Sequence, residues 1–271
     1  MAILQDITLG RYIPGDSGIH RLDPRTKFLA ALVLMAAVLA SPGFAPLLLY
    51  CAFLALAIRL SGLPARVVLA NLRPFIWLFF FTFGLHALLT QGHPVWRIPG
   101  AGFVVTREGL ALGAFFSLRL AVVVVTASLM TLTTQPMELT QGLERLLAPL
   151  RRFGFPAHEL AMMVSISLRF IPVLIDEAER LRKAQLARGA SFGGGPIRRA
   201  RSLIPLLVPL FVSAFERADR LALAMESRCY RGGEGRTSYH ELRFRRGDWL
   251  AGAIVLLVTL GLASLAWRTR A

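Results

Sequence analysis

"EGLALGAFFSLRLAVVVVTASLMTLTT" (residues 108–134) decides which solvent this chain folds in. After the leading Glu108 it carries one charge, Arg119. A helix over such a run is roughly 40 Å long at 1.5 Å per residue, more than the ~30 Å hydrocarbon core of a bilayer. An apolar stretch of that length has no comfortable place in a water-soluble domain.

Other stretches repeat the pattern. "RPFIWLFFFTFGLHALLTQG" (73–92) is aromatic-rich and is entered through Pro74. "DWLAGAIVLLVTLGLASLAW" (248–267) has a tryptophan near each end, where amphipathic rings suit the two membrane interfaces. Nearer the N-terminus, Asp23-Pro24 in "RLDPRTKFL" reads as an N-cap followed by proline at the first helical position. From Phe28 the chain is apolar to Ala40, is broken by "SPGFAP", and is apolar again from Leu47 to Ile58. Each run is short against the roughly 20 residues of a perpendicular span. The pair is either two crossings completed by flanking residues or a re-entrant hairpin; the reading adopted is two crossings. Composition agrees: 55% of the 271 residues are apolar and 17% charged, with a mean hydropathy of +0.57.

Residues 135–246 differ, with nineteen Arg and Lys against eleven Asp and Glu and no clean span. "LAMMVSISLRFIPVLI" (160–175) contains Arg169 and Pro172, and "LIPLLVPLFVSAF" (203–215) contains Pro205 and Pro209. This region reads as a helical module at or below the membrane surface. The fold class expected is an all-α integral membrane protein: an N-terminal membrane domain of about four spans (1–134), the charged module (135–246) and a C-terminal transmembrane helix (247–271).

Charge sets the orientation. With an internal N-terminus, Arg11, Arg21, Arg25, Lys27, Arg59, Arg66, Arg73, Arg145, Arg151, Arg152, Arg243, Arg245 and Arg246 fall on one side, and Arg97, Arg107, Arg268 and Arg270 on the other. The positive-inside rule then places the N-terminus and the module in the cytoplasm, and it accounts for the net charge of +15 without a nucleic-acid partner. Residues 1–27 hold seven charges and no apolar h-region, so they do not read as a cleaved signal peptide.

Most catalytic and metal signatures are missing. "GASFGGGP" lacks the lysine of a phosphate loop. Cys51 and Cys229 form neither a disulfide framework nor a metal motif. His86 and His93 lie seven apart, but Gly92 and Pro94 end their helix first. The spans contain almost no acids, which speaks against an intramembrane hydrolase or proton relay. Arg119 is a costly charge that can snorkel or pair within the bundle.

The module does contain a repeat. "ERLRKAQLARGA" (179–190) aligns without gaps on "DRLALAMESRCY" (219–230). Acid falls on acid (Glu179, Asp219), Arg180 on Arg220, Leu181 on Leu221, Ala184 on Ala224 and Arg188 on Arg228. A cation at a helix C-terminus is favourable by about 0.3–1 kcal/mol, and glycine beyond it permits a left-handed cap, so one such end is only a well-made terminus. Two in register are more. An arginine fork at an exposed helix tip can engage a carboxylate bidentately in a partner's groove, and two tips call for two equivalent sockets.

"LDPRTKFL", "SISLRFIPVLIDEAERLRKAQLARGASF" and "LALAMESRCYRGG" together resemble the transmembrane T component of energy-coupling factor (ECF) transporters, and the resemblance covers nearly the whole chain. It implies a non-enzymatic scaffold of an ATP-driven importer in a bacterial or archaeal cytoplasmic membrane. Its partners would be two cytoplasmic ATPase subunits and a small membrane S component that binds a vitamin or metal ion. ATP would be bound by the partners, and no cofactor or metal is called for in this chain. The resemblance assigns ATPase coupling to Ala187, Arg188 and Gly189 and to Ser227, Arg228 and Cys229. Met163, Ile166, Pro172, Pro205 and Pro209 are the candidates for S-component contact, with internal packing of the module as the alternative. Cys229 departs from the Ala-Arg-Gly pattern. A non-glycine residue in a left-handed cap costs roughly 1–2 kcal/mol, so the second helix either caps later, at Gly232 or Gly233, or tolerates the cysteine.

Two other classes stand beside this one. The permease of a conventional ABC importer would line its spans with polar residues, of which only Thr82, His86, Ser117, Arg119, Thr126 and Ser128 are available. A lipid-processing enzyme would need acids or metal ligands near the spans.

Overall fold

The structure, a computed structural model, describes residues 12–97, 104–190, 195–232 and 244–268. Gly233, Arg243 and the middle of the GASFGGGP run lie outside those residues.

The first helix, α1 (Pro24–Ala40), starts as its sequence dictates: Asp23 is the N-cap, its side chain accepting from the Arg25 amide, and Pro24 opens the first turn. The SPG break separates it from α2 (Phe44–Ser61), which stops at Gly62 with φ 70°. Their 17 and 18 residues make each roughly 26 Å long. A short helix α3 (Ala65–Ala70) and a 3-10 turn at Arg73–Phe75 lead into α4 (Ile76–Leu89). A two-stranded antiparallel hairpin, β1 (Pro94–Arg97) and β2 (Val104–Thr106), then connects to α5 (Arg107–Thr133). The sequence reading did not anticipate this hairpin.

The α4–α5 contact is close because glycine permits it. A Cβ on Gly109 would lie 2.6 Å from the His86 carbonyl oxygen, and one on Gly113 2.8 Å from that of Phe83. Beyond α5 follow α6 (Pro136–Leu147), a 3-10 segment (Ala148–Phe153), α7 (Ala157–Ala187), α8 (Pro196–Glu226) and α9 (Arg246–Arg268).

The chain forms two compact units, with boundaries at Gly142/Leu143 and Glu241/Leu242. One gathers α1 to α5, most of α6, and α9 around a core that includes Val38, Leu47, Leu54, Phe115, Val122 and Leu132. The other contains the end of α6, α7 and α8. Its apolar side chains are largely open: Met163, Val164, Ile204, Val208 and Phe211 are all exposed.

The architecture is all-α and of membrane type. Among the described residues, four stretches are long and apolar enough to cross a bilayer: Phe44–Ser61, Ala65–Leu89, Arg107–Thr133 and Ala157–Ala187. The last lies within the charged module, where the sequence reading found no clean span. The apolar run 160–175 and the charged run after it belong to one unbroken helix of 31 residues, despite Pro172 in its interior. Proline removes one i→i−4 donor there, and the helix continues on both sides.

Candidate functional site: two matching helix ends

The two charged shafts of the second unit end in the same backbone geometry, displaced by forty residues. At the end of α7, the Gly189 amide donates to the Leu186 carbonyl at 3.0 Å and the Ala190 amide to Gln185 at 3.0 Å. At the end of α8, the Cys229 amide donates to Glu226 at 2.9 Å and the Tyr230 amide to Met225 at 3.0 Å. Each pair is the bond set of a Schellman cap, in which one residue turns left-handed and the last carbonyls are satisfied. The left-handed residues are Gly189, φ 86°, and Cys229, φ 56°.

This settles where the second helix caps. It ends at Cys229, in register with Gly189, and the site tolerates the cysteine; Gly232 is also left-handed, at φ 86°, but lies beyond the cap. Among the described residues Cys229 is the one non-glycine with positive φ.

Exposure repeats as well. Over 183–190 and 223–230 every residue is exposed except the same two of each copy, Gln185 with Ala190 and Met225 with Tyr230, which are half-buried. Ala187, Arg188 and Gly189, like Ser227, Arg228 and Cys229, all face outward. Neither Arg188 nor Arg228 forms an ion pair with a described carboxylate. Each guanidinium is therefore presented at the carbonyl end of a long helix, beside small residues that leave room for a surface to close over it. Further up the shafts Arg217 Nη2 meets Glu177 Oε2 at 3.3 Å, joining α8 to α7.

The five residues singled out on the apolar halves are distributed along α7 and α8. Met163, Pro172, Pro205 and Pro209 are exposed and Ile166 is half-buried. Pro205 and Pro209 lie in the interior of α8 beside exposed Ile204 and Val208.

A second constellation was not anticipated from the sequence. "LDPRTK" is a structural knot in the other unit. Asp23 Oδ1 caps its own helix through the Arg25 amide at 2.9 Å, while the Asp23 amide donates to Asp248 Oδ1 at 2.7 Å. The other oxygen of Asp248 accepts from the Arg245 amide at 2.7 Å. Lys27 is 7% exposed and donates to the carbonyls of His20 and Thr133, both at 2.9 Å. One short motif thus ties the start of α1 to the end of α5 and the start of α9. The signal for Asp248 was a lone acid in the first turn of an otherwise apolar helix.

The histidines do not assemble a metal site. His86 Nδ1 donates to the Thr82 carbonyl and its ring stacks on Phe116, and the His93 amide donates to Glu108. No group of three or more His, Cys, Asp or Glu residues able to hold a metal ion occurs among the described residues. Arg119 reaches from α5 to the Ser41 carbonyl at the end of α1, its guanidinium carbon 4.4 Å from the Phe115 ring centre and 5.1 Å from that of Phe116.

Several apolar helices of crossing length define a multi-pass membrane protein. The chain belongs to the CbiQ family, described as cobalt transport protein, whose family model matches residues 15–239. It is similar to the energy-coupling factor transporter transmembrane protein EcfT of Acidaminococcus fermentans, 48% identical over 266 residues and covering 98% of both chains. The protein of the same name from Thermanaerovibrio acidaminovorans is 48% identical over 269 residues, covering 98% of each. That of Bacillus subtilis is 44% identical over 260 residues, covering 95% of this chain and 97% of its own.

Proposed function

We propose that the chain is the non-catalytic transmembrane scaffold of an ECF-type importer. The observation that carries this reading is the pair of arginine-bearing helix ends closed by the same cap hydrogen bonds. In it, Arg188 and Arg228 occupy equivalent grooves on two cytoplasmic ATPase subunits. Closure of those subunits on ATP moves both tips, and the shafts α7 and α8 carry the displacement to their apolar halves. There Met163, Ile166, Pro172, Pro205 and Pro209 contact a membrane S component that holds a vitamin or metal ion and releases it inward. The exposed apolar residues of both helices support a protein or lipid covering at that place. The distribution of Arg and Lys supports a cytoplasmic N-terminus and module in the bacterial or archaeal cytoplasmic membrane.

The test is co-purification with the two ATPase subunits in detergent, comparing the native chain with Arg188→Ala, Arg228→Ala and the double variant. Assembly that weakens in each single variant and fails in the double supports two sockets. Retained assembly with lost substrate-dependent ATP hydrolysis places the arginines in transmission. Variants that bind and couple like the native chain would reduce the repeat to a helix cap and overturn the proposal.

A further inference from the structure

α1 and α9 start at the same end of their unit, held there by the Asp23–Asp248 bond, and run side by side. Along their N-terminal halves lies an open groove of about 540 Å³, with Leu29, Ala30, Val33, Trp249, Gly252 and Leu256 among its lining. Apart from Thr26 and Asp248 at its head, every lining residue is apolar.

We propose that this groove seats one acyl chain of an anionic phospholipid, with the headgroup met by Arg245 and Arg246. Length decides against a helix of a partner protein. From Thr26 to Val33 and from Asp248 to Leu256 the groove extends about two turns, roughly 12 Å, short of one leaflet of a ~30 Å core. A transmembrane helix would need a seat along the whole bilayer and is itself about 10 Å wide.

Charge at the head selects the lipid class. Asp248 is 3% exposed and both its oxygens are taken by the Asp23 and Arg245 amides. Asp23 is paired with Arg25 at 3.4 Å, and the Arg25 guanidinium lies over the Phe244 ring at 4.9 Å. Arg245 and Arg246 remain exposed, with no ion pair to a described residue. Phe244 and Trp249, both exposed, flank them as interfacial aromatic residues do. Cationic side chains at the surface of a spanning segment attract anionic headgroups. The chain thus sets two cations, without an ion pair among the described residues, next in sequence to the aromatic and acidic residues that line the head of an apolar slot.

Gly252 makes the slot testable. A Cβ built on it meets nothing within 4 Å, so a larger side chain there enters the groove rather than the protein.

The experiment uses the full chain in phosphatidylcholine vesicles with increasing phosphatidylglycerol, with Trp77, Trp96 and Trp267 changed to Phe so that only Trp249 fluoresces. Lipids brominated on their acyl chains quench a tryptophan they touch. The expected result is a preference for brominated phosphatidylglycerol over brominated phosphatidylcholine on the order of tenfold, from two cations near the headgroup. That preference falls to near unity in Arg245→Gln/Arg246→Gln and persists in Arg245→Lys/Arg246→Lys, which keeps the charge. Gly252→Leu lowers quenching by both lipids while the helical content stays unchanged. Equal quenching by the two lipids in the native sequence would make the groove ordinary bilayer contact and overturn the proposal. A preference that survives the glutamine pair would do so too, as would absence of quenching by either lipid, which would mean protein covers the groove.

Discussion

Gly189 and Cys229 occupy the same position in two copies of one helix end, at φ 86° and φ 56°. Their amides accept the same role in the same cap, donating to Leu186 and Glu226 respectively. Glycine takes the left-handed region without steric cost, whereas a residue with a Cβ is strained there by roughly 1–2 kcal/mol. A strained residue persists only where its surroundings over-determine it. Here the two tips share one pattern of exposure, with the arginine just before the left-handed residue facing outward in both.

The first prediction concerns that strain. Cys229→Gly stabilises the second cap by about 0.5–1 kcal/mol, the relief of strain being partly offset by the greater freedom of glycine in the unfolded chain. Gly189→Ala costs about 1 kcal/mol, even though its Cβ would meet no atom within 4 Å. Amide exchange at Tyr230 and Ala190 reads both effects locally, with slower exchange expected in the first variant and faster in the second. Unchanged exchange in both would mean that the left-handed turns are not what holds these ends.

Asp248 supports two backbone amides from within the protein, at 2.7 Å each. Asp248→Ala leaves both donors unsatisfied, and each such loss costs about 1–3 kcal/mol. Asp248→Asn keeps one acceptor oxygen and so loses less. Thermal unfolding in detergent ranks the three proteins native, Asn, Ala; an Ala variant as stable as the native chain would show that the knot contributes little.

Lys27 is the complementary case, a buried donor serving the His20 and Thr133 carbonyls. Lys27→Met has similar length and removes the charge, stranding two carbonyls and loosening the end of α5 from the start of α1. The expected cost is about 2–4 kcal/mol. Limited proteolysis near residues 133–136 reports it, with cleavage faster than in the native chain. Protection equal to the native chain would instead mean that water replaces the ammonium.

Much of this was legible in the sequence, for reasons specific to each place. The span at 108–134 is fixed by length and hydropathy alone, and α5 fills Arg107–Thr133. Asp23-Pro24 specified the start of α1 through local hydrogen-bonding chemistry that needs no tertiary context. The repeat was visible because identical caps require similar residues at fixed offsets. What stayed hidden depends on contacts distant in sequence. Asp248 and Asp23 are 225 residues apart, and no local pattern pairs them. The left-handed Cys229 was also beyond local rules, since its own propensity points to a cap at the following glycines, and the matched shaft overrides it. The hairpin β1–β2 was missed because its strands hold only four and three residues, too few to establish a period of two.

Arg119 is expected to fasten the α1–α2 turn rather than to carry substrate. Its guanidinium donates to the Ser41 carbonyl and stacks beside Phe115 and Phe116. Arg119→Lys keeps the charge but loses the planar face, at about 1–2 kcal/mol. Arg119→Leu removes the donor as well but relieves the membrane of a charge, so it should be no worse than the lysine. A large loss of transport in a leucine variant of native stability would assign Arg119 a part in the substrate path.

The last prediction tests whether the two shafts move as one. Glu177 and Arg217 are forty residues apart, the same displacement as the two caps, and their ion pair crosses from α7 to α8 at 3.3 Å. Both side chains are partly exposed, so the pair contributes only about 0.5–1 kcal/mol of stability. Its larger effect should be on relative motion, because it is a polar tie between helices whose described apolar residues are mostly exposed. Glu177→Gln or Arg217→Gln should broaden the distance distribution between spin labels placed at Lys183 and Leu223, two exposed positions above the tips. The exchanged pair Glu177→Arg/Arg217→Glu should narrow it again, which a merely local loss of packing would not do. A distribution unchanged by either single substitution would show that apolar packing of α7 on α8 alone fixes the spacing, and the ion pair would then have no part in keeping Arg188 and Arg228 in step.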